Sequence, residues 1–336
     1  MTAPKSQQGV ALIIILLIVA IVSVLATEMV SRLQLNVART VNMKTNNQAY
    51  WFAVGAEQYA LQQLAVLKQS SPDTIHLEQA WAEEFIFPIL GGSIEAQVSD
   101  MHSCFNLNAM AEEEASTEAQ NDANNDTPTS NITRPHQVFH RLLSLVGKEN
   151  IDSFSVDTFA DSVADWIDSD QQMRSYGAED AEYQAQAIPY LAANAMLSSR
   201  SELRIIKGVQ YSWLSDLLEQ VCVLPNSSAM EININTLTEA QAPLLAAVAD
   251  IEQASAARLL AARPKDGYSS IDDFLAEPEL TNLSPAQRSW LKVTSKYFKL
   301  KTKTRYNGAT FNMNTVIKVF DTDKVTIESR EFGSTY

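Results

Sequence analysis

Between Asp152 and Glu182 nine carboxylates (Asp152, Asp157, Asp161, Asp165, Asp168, Asp170, Glu179, Asp180 and Glu182) stand against a single base, Arg174. Like charges at this density repel one another unless a cation sits among them. Carboxylates are hard oxygen donors, so the cation they would select is hard too. With Asp168 as the first position of a loop, Asp170 falls at the third, Gln172 at the fifth, Arg174 at the seventh through its carbonyl, Tyr176 at the ninth and Glu179 at the twelfth. That is the ligand spacing of an EF-hand-like calcium loop. The sixth position is Met173, where that loop wants Gly, so the segment is not a standard EF-hand. The alternative is an acidic, solvated helix end and loop, with Asp165 and Trp166 capping and packing the helix that leads into it. Glu182, Asn194 and Glu202 offer oxygens for a second site.

Other chemistries find less support. Four His and two Cys without CxxC or HExxH leave too few soft ligands for zinc or an iron–sulfur cluster. His136 and His140 lie one helical turn apart and could touch a metal on one face, but a solvated surface is the simpler reading. There is no GxSxG and no Gly-rich phosphate loop, and the acidic cluster lacks an activating His, so the expectation is no enzyme. Ile232 to Leu275 resembles a helix–hairpin–helix module, which grips phosphate through a Gly-hydrophobic-Gly hairpin. The corresponding residues here, Val248-Ala249-Asp250-Ile251-Glu252, contain no Gly and two carboxylates that would repel phosphate. A formal charge of −15 over the 336 residues also argues against a nucleic-acid partner.

The elements that must carry the acidic segment begin with a long N-terminal helix. Val10 to Thr27 holds no charge, enough to cross most of a ~30 Å hydrocarbon core. From Glu28 the apolar residues keep helical spacing, and there is no Pro between Val10 and Ser71. One continuous helix of ~60 residues follows from this, with Gly55 and Asn46-Asn47 as weak points. A short charged leader ending in Gly, then an apolar helix running without a break into an amphipathic one, resembles type IV pilins and type II secretion pseudopilins. The resemblance implies that a prepilin peptidase cuts between Gly9 and Val10 and methylates the new N-terminus. Pilins and major pseudopilins carry Glu at the fifth mature position; here that residue is Ile14. Its absence is characteristic of the K-type minor pseudopilins, the general secretion pathway protein K family.

That resemblance implies a subunit at the tip of the pseudopilus, assembling with minor pseudopilins of types I and J. It also implies a single-pass inner-membrane anchor with the globular part in the periplasm. The run Asp165 to Tyr183 resembles the acidic segment through which this family holds calcium, implying oxygens from Asp168, Asp170, Glu179 and Asp180 and a neutral one from Gln172.

The remaining patterns specify an α+β fold: a long N-terminal helix packed on a pilin-like antiparallel sheet, with a large all-α domain inserted between strands. Pro72 to Pro88 reads as a short second helix. Ser93 to Asp100 alternates as a strand, and Cys104 to Leu107 reads as continuing the sheet. Residues 111–135 are acidic and nearly free of large apolar side chains, the composition of a flexible loop. Three strand-like runs, Thr294–Arg305, Ala309–Phe320 and Lys324–Glu331, close the chain, the first two joined at Asn307-Gly308. The resulting division is a leader at 1–9, a membrane segment at 10–27, a pilin-like domain at 28–110 and 294–336, the acidic loop, and an inserted helical domain with helix–hairpin–helix modules at 136–293. Cys104 and Cys222 are either two buried thiols or one bridge closing a long loop. Beyond the inner membrane the oxidising compartment favours the bridge.

Overall fold

The computed structural model describes residues 8–111, 134–147, 151–320 and 324–333. Most of the acidic loop expected at 111–135 lies outside them. Helix α1, Gln8–Ser70, is one uninterrupted element of 63 residues, about 95 Å long at 1.5 Å per residue. It does not break at Asn46-Asn47 or Gly55. A single helical Gly costs only about 1 kcal/mol, and here packing outweighs it. Ala49, Ala53, Ala56, Ala60 and Leu64 recur every three or four residues and are all buried. Four of the five are alanines, so the helix axis lies close to the sheet. From Val10 to Met43 the large apolar side chains are instead exposed.

The sheet has five strands in the order β1-β2-β7-β8-β9, every neighbour antiparallel. They are β1 Phe85–Ile89, β2 Gly92–Asp100, β7 Tyr297–Tyr306, β8 Ala309–Val319 and β9 Val325–Phe332. Ile94, Ala96, Val98, Phe298, Leu300, Ile317 and Val319 form its core with Ala56, Leu64 and Trp81. The β7–β8 turn uses Asn307 (φ 45°) and Gly308 (φ 84°), the left-handed pair that a two-residue hairpin needs. Strand β2 pairs with β7 from Gly92↔Tyr306 to Asp100↔Phe298, so everything between Asp100 and Tyr297 is inserted at one seam.

Two expectations need correction here. Pro72–Pro88 does not form a helix: its only helical piece is one 3₁₀ turn, Ala80–Ala82, and Phe85–Ile89 is strand β1. The aromatic and β-branched run FIFPI suits an extended chain, and β1 lies at the sheet edge, where Pro88 is tolerated. Nor does Cys104–Leu107 continue the sheet. After β2 the backbone turns on Asp100, whose carboxylate accepts from the His102 amide (2.8 Å) and whose carbonyl accepts from Ser103 Oγ (2.7 Å). Phe105–Asn106 then becomes β3, paired in parallel with β4, Val221–Cys222.

The insertion consists of two modules, each closed by such a two-residue parallel ladder. The first runs from β3 through α2 (Pro135–Val146), α3 (Ser153–Ile167), α4 (Asp180–Gln184) and α5 (Tyr211–Leu218) to β4. The second runs from β5 (Ile232–Asn233) through α6 (Ala242–Ala249), α7 (Gln253–Ala262), α8 (Ile271–Leu275) and α9 (Pro285–Trp290) to β6 (Leu291–Lys292). Each opens on the same pattern, Phe105-Asn-Leu-Asn108 and Ile232-Asn-Ile-Asn235. The apolar members enter one continuous core, and the amides clamp backbone: Asn108 bonds Leu197 N and O, and Asn235 bonds Tyr268 N and O. Cys104 and Cys222 are joined by a disulfide across 118 residues of sequence, with Cα atoms 5.7 Å apart.

Helix and sheet are pinned by one ion pair. Glu57 on α1 is fully buried and accepts two bonds from Arg330 of β9 (2.7 and 2.8 Å) and one from Thr315 of β8 (2.8 Å). Removing the base strands a buried carboxylate, a change that costs about 3 to 5 kcal/mol. Arg330→Ala should therefore destabilise the folded chain by about 3 kcal/mol in denaturant titrations of the detergent-solubilised protein. A loss below about 1 kcal/mol would show that the pair is not what holds the sheet to the helix.

Candidate metal centre

Helix α3 starts with Asp152 as its cap, the carboxylate accepting from Ser155 N at 2.8 Å. Those bonds to Ser155 hold the Asp152 carboxyl below the usual range. The helix ends at Asp168, whose amide still bonds Ala164 O. One turn earlier, Asp165 is completely buried. Its carboxylate accepts from the Arg174 amide (3.2 and 3.3 Å) and from Arg174 Nη1 (2.8 Å). The same Nη1 also donates to Asp168 Oδ2. Burial raises the Asp165 pKa, with Arg174 opposing the shift. Gly177 completes the turn, and a Cβ there would lie 1.8 Å from Asp165 Oδ2, so no larger residue fits.

This turn brings Asp168, Asp170 and Glu179 together, each offering one oxygen within 4.8 Å of the others. Glu179 is 6% exposed, and neither of its carboxylate oxygens has a hydrogen-bond partner. Burial pushes its pKa up to about 7, helped by the charges of Asp165, Asp168, Asp170 and Asp180. A buried carboxylate without a hydrogen-bond partner, facing two others, has the chemistry of a hard-cation ligand. Of the other expected ligands, Asp180 adds negative charge nearby, but its Oδ1 accepts from Ala192 N (3.0 Å). Gln172 is exposed, and its amide N–H, not its side chain, bonds Asp170 Oδ1 (2.6 Å). The structure therefore assembles three of the five.

Three further acids of the run have basic side chains beside them from elsewhere in the fold. His136 Nε2 lies 2.9 Å from Asp161, His140 Nε2 lies 2.6 Å from Asp157, and Lys207 lies 3.6 Å from Glu182. The histidine pair thus faces acids of α3, with His140 partly exposed. Glu202 is spent on Ser198 N, Ser199 N and Trp166 Nε1. In the helix–hairpin–helix-like module Asp250 takes the left-handed position after α6 and pairs with Arg141 at 3.1 Å. Arg263 donates to the carbonyls of Ile234 and Leu237. Arg263 is thereby engaged by backbone carbonyls, while the Asp250 side chain stays largely exposed. At the other end of the chain Gly9 and Val10 lie in the first turns of α1, Val10 exposed.

The profile of the family described as type II secretion system (T2SS), protein K matches residues 103–226 and 232–294. Together these make up more than half of the chain, and their break falls between the two modules. The type II secretion system protein K of Klebsiella pneumoniae is 36% identical over 296 residues, covering 87% of this chain and 86% of that one. That of Pectobacterium carotovorum subsp. carotovorum is 34% identical over 334 residues, covering 97% of each. The chain belongs to the type II secretion system protein K family. A chain of the GspK–GspI–GspJ complex from enterotoxigenic Escherichia coli superposes with a TM-score of 0.74 at 29% identity, covering 88% of this chain and all of that one. Family membership identifies a component of type II secretion and a long-helix α+β fold. The apolar part of α1 has the length and composition of a single membrane crossing.

Three features of this site were not evident from spacing: Asp165 as the buried hub, the side chain of Arg174, and the close approach at Gly177. Each depends on how the loop folds back on α3. Glu179 carries a testable consequence. A carboxyl whose folded pKa is about 7 binds its proton more tightly in the folded chain than in the unfolded one. Its contribution is therefore complete below about pH 4.5 and is lost as pH rises toward 7, by at most about 1.4 kcal/mol per pH unit. In chelator, melting temperature should fall from pH 5 to pH 7.5, and Glu179→Gln should remove that part of the slope. Identical slopes in the two proteins would contradict the placement of Glu179.

Proposed function

We propose that this chain is the tip subunit of a type II secretion pseudopilus, held in the inner membrane by α1 with its globular part in the periplasm until assembly. What carries the reading is a 63-residue helix with an exposed apolar N-terminal half and Ile14 at the fifth position after the Gly9–Val10 junction. A Glu there would have to find a partner in lipid, such as a neighbouring subunit's α-amine, because an unpaired charge at that depth costs several kcal/mol. Ile14 makes no such demand, which suits a subunit with none above it. The two-module insertion supplies bulk where a further subunit would otherwise add. Leu33, Val37, Val41 and Trp51 are exposed on α1, available to pack against helices of type I and J minor pseudopilins, and the similar solved chain is part of a complex with GspI and GspJ.

Within this subunit Asp168, Asp170 and Glu179 hold calcium in a structural role, with Asp180 adding charge beside them. Two oxygens across one Ca²⁺ at about 2.4 Å are at most about 4.8 Å apart, which matches the span of the three carboxylates. Bound there, the ion supplies positive charge and ties the end of α3 to the start of α4. An all-carboxylate set favours a hard ion over a transition metal.

Two measurements test this reading. Mass spectrometry of assembled material should find N-methylated Val10 at the N-terminus, and Gly9→Val should block cleavage; an intact Met1 in the assembled form would refute processing. Calcium at 100 times its Kd should stabilise the chain by about 2.7 kcal/mol, a gain that weakens below about pH 7 because Glu179 must release its proton. Chelation should lower the melting temperature of the wild type but not of Asp168→Ala/Asp170→Ala, and a melting curve indifferent to chelator would leave the cluster as a solvated face.

A further inference from the structure

The contacts that shape the metal loop come from side chains that do not belong to the three-carboxylate group. Asp165 sits at 0% exposure on the last turn of α3 and receives both the backbone amide and the guanidinium of Arg174. The guanidinium nitrogen that touches Asp165 also touches Asp168. From the other side Gly177 presses its backbone against the same Asp165 carboxylate, at a distance that excludes a Cβ. Lys207 Nζ then donates to Gly177 O (3.1 Å), closing the far side of the turn. Asp165 is thus gripped by residues nine and twelve positions downstream, and the chain between Asp168 and Glu179 is bent into a loop by that grip.

We infer that Arg174 and Asp165 are positioning residues for the metal centre: the guanidinium, seated on the buried Asp165 carboxylate, holds one oxygen of Asp168 so that Asp168 offers the ion a single oxygen from a fixed direction. The inference rests on the calcium reading of Asp168, Asp170 and Glu179 given above. Two effects of Arg174 oppose each other. Its positive charge repels a cation, whereas its hydrogen bonds fix a ligand and spare the ion the entropy of ordering the loop. Partners that orient a ligand in this way typically contribute 10- to 100-fold in metal affinity. One positive charge whose own partners are Asp165 and Asp168 is already largely compensated. Orientation is the larger effect, and it sets the sign of the prediction.

The test uses the full chain in detergent, with Ca²⁺ as the probe, titrated by calorimetry. Arg174→Gln should weaken calcium binding 10- to 100-fold. Arg174→Lys should recover part of that loss, because one ammonium can donate to both carboxylates. Gly177→Ala should weaken binding as well, although it changes no charge, because its Cβ displaces Asp165. Terbium luminescence lifetimes add a readout that general destabilisation does not move: freeing the second oxygen of Asp168 should change the number of waters on the bound ion in Arg174→Gln. Calcium bound by Arg174→Gln as tightly as by the wild type, or more tightly, would show that Arg174 is only a counter-charge and overturn the inference while leaving the calcium site standing. A wild-type chain that binds no calcium would overturn both. If Arg174→Gln does not fold, Gly177→Ala decides, and unchanged affinity there overturns the inference.

Discussion

A domain inserted between two adjacent strands is ordered relative to its host first where the two crossing chains meet, and in this molecule that place is built around Asp100. The residue is buried at the end of β2. Its carboxylate accepts from His102 N, Asn233 Nδ2, Thr236 Oγ1 and Ser295 Oγ at 2.5 to 3.2 Å. Those four donors come from the exit of the sheet, from the start of the second module and from the return toward β7. A buried charge with several donors is tolerated where an unpaired one is not. Asn233 extends the same joint to the segment after α1 through Ile75 O (3.0 Å). Directly beside it His102 is buried, and that burial lowers its pKa against the pull of Asp100 and Glu231. The ring is thereby kept neutral next to a carboxylate whose capacity is taken up by neutral donors.

From that joint the two modules take their places. The ladders β3–β4 and β5–β6 are only two residues each, too short to be stable alone. They persist because Phe105, Leu107, Ile232 and Ile234 enter one continuous apolar core. Buried amides at Asn106, Asn108, Asn233 and Asn235 meanwhile satisfy loop backbone that no regular element covers. The alternation of apolar and amide residues therefore does two jobs at once, filling a core and closing a loop. Family profiles that break between residues 226 and 232 follow the same division.

How much of this was legible in the sequence depends on the range of the interaction. Helix α1, β2 and β7 to β9 are written in local periodicity, and the structure places them within a few residues of expectation. Strand β1 was masked by the prolines that bracket its segment. Periodicity also carries no signal for ladders of two residues, so β4 to β6 disappeared into a helical block and β3 read as a continuation of the main sheet. The loop spacing picked out Asp168, Asp170 and Glu179, whose oxygens the structure brings within 4.8 Å of one another, because positions within one loop are local. It said nothing of Asp165, because a carboxylate becomes a hub only once the chain folds back upon it. The same blindness made His136 and His140 look like surface: their partners, Asp161 and Asp157, lie on another helix. The opening Ile232-Asn-Ile-Asn235 falls in the stretch that resembles a helix–hairpin–helix module, and that resemblance concealed that its amides serve the backbone.

The disulfide and the carboxylate triad act on the same stretch of chain. Residues 168–179 lie inside the loop closed by Cys104 and Cys222, so the cross-link and any ion in the triad both stabilise the first module. In a chain-entropy treatment, closing a loop of 118 residues is worth about 5 kcal/mol before any native-state strain is subtracted. The second module contains neither cysteine nor a comparable carboxylate group among the described residues, and it leans instead on its apolar core, in which Leu244 to Val248 are all buried. Disulfides form in oxidising compartments and not in the cytosol. On the proposed topology, then, the first module reaches its full stability only after it has crossed the inner membrane, where the long helix still tethers it and neighbouring helices can pack against α1. On that topology the order of events follows from where the disulfide can form, and the acidic loop of the first module would take its final order on the periplasmic side.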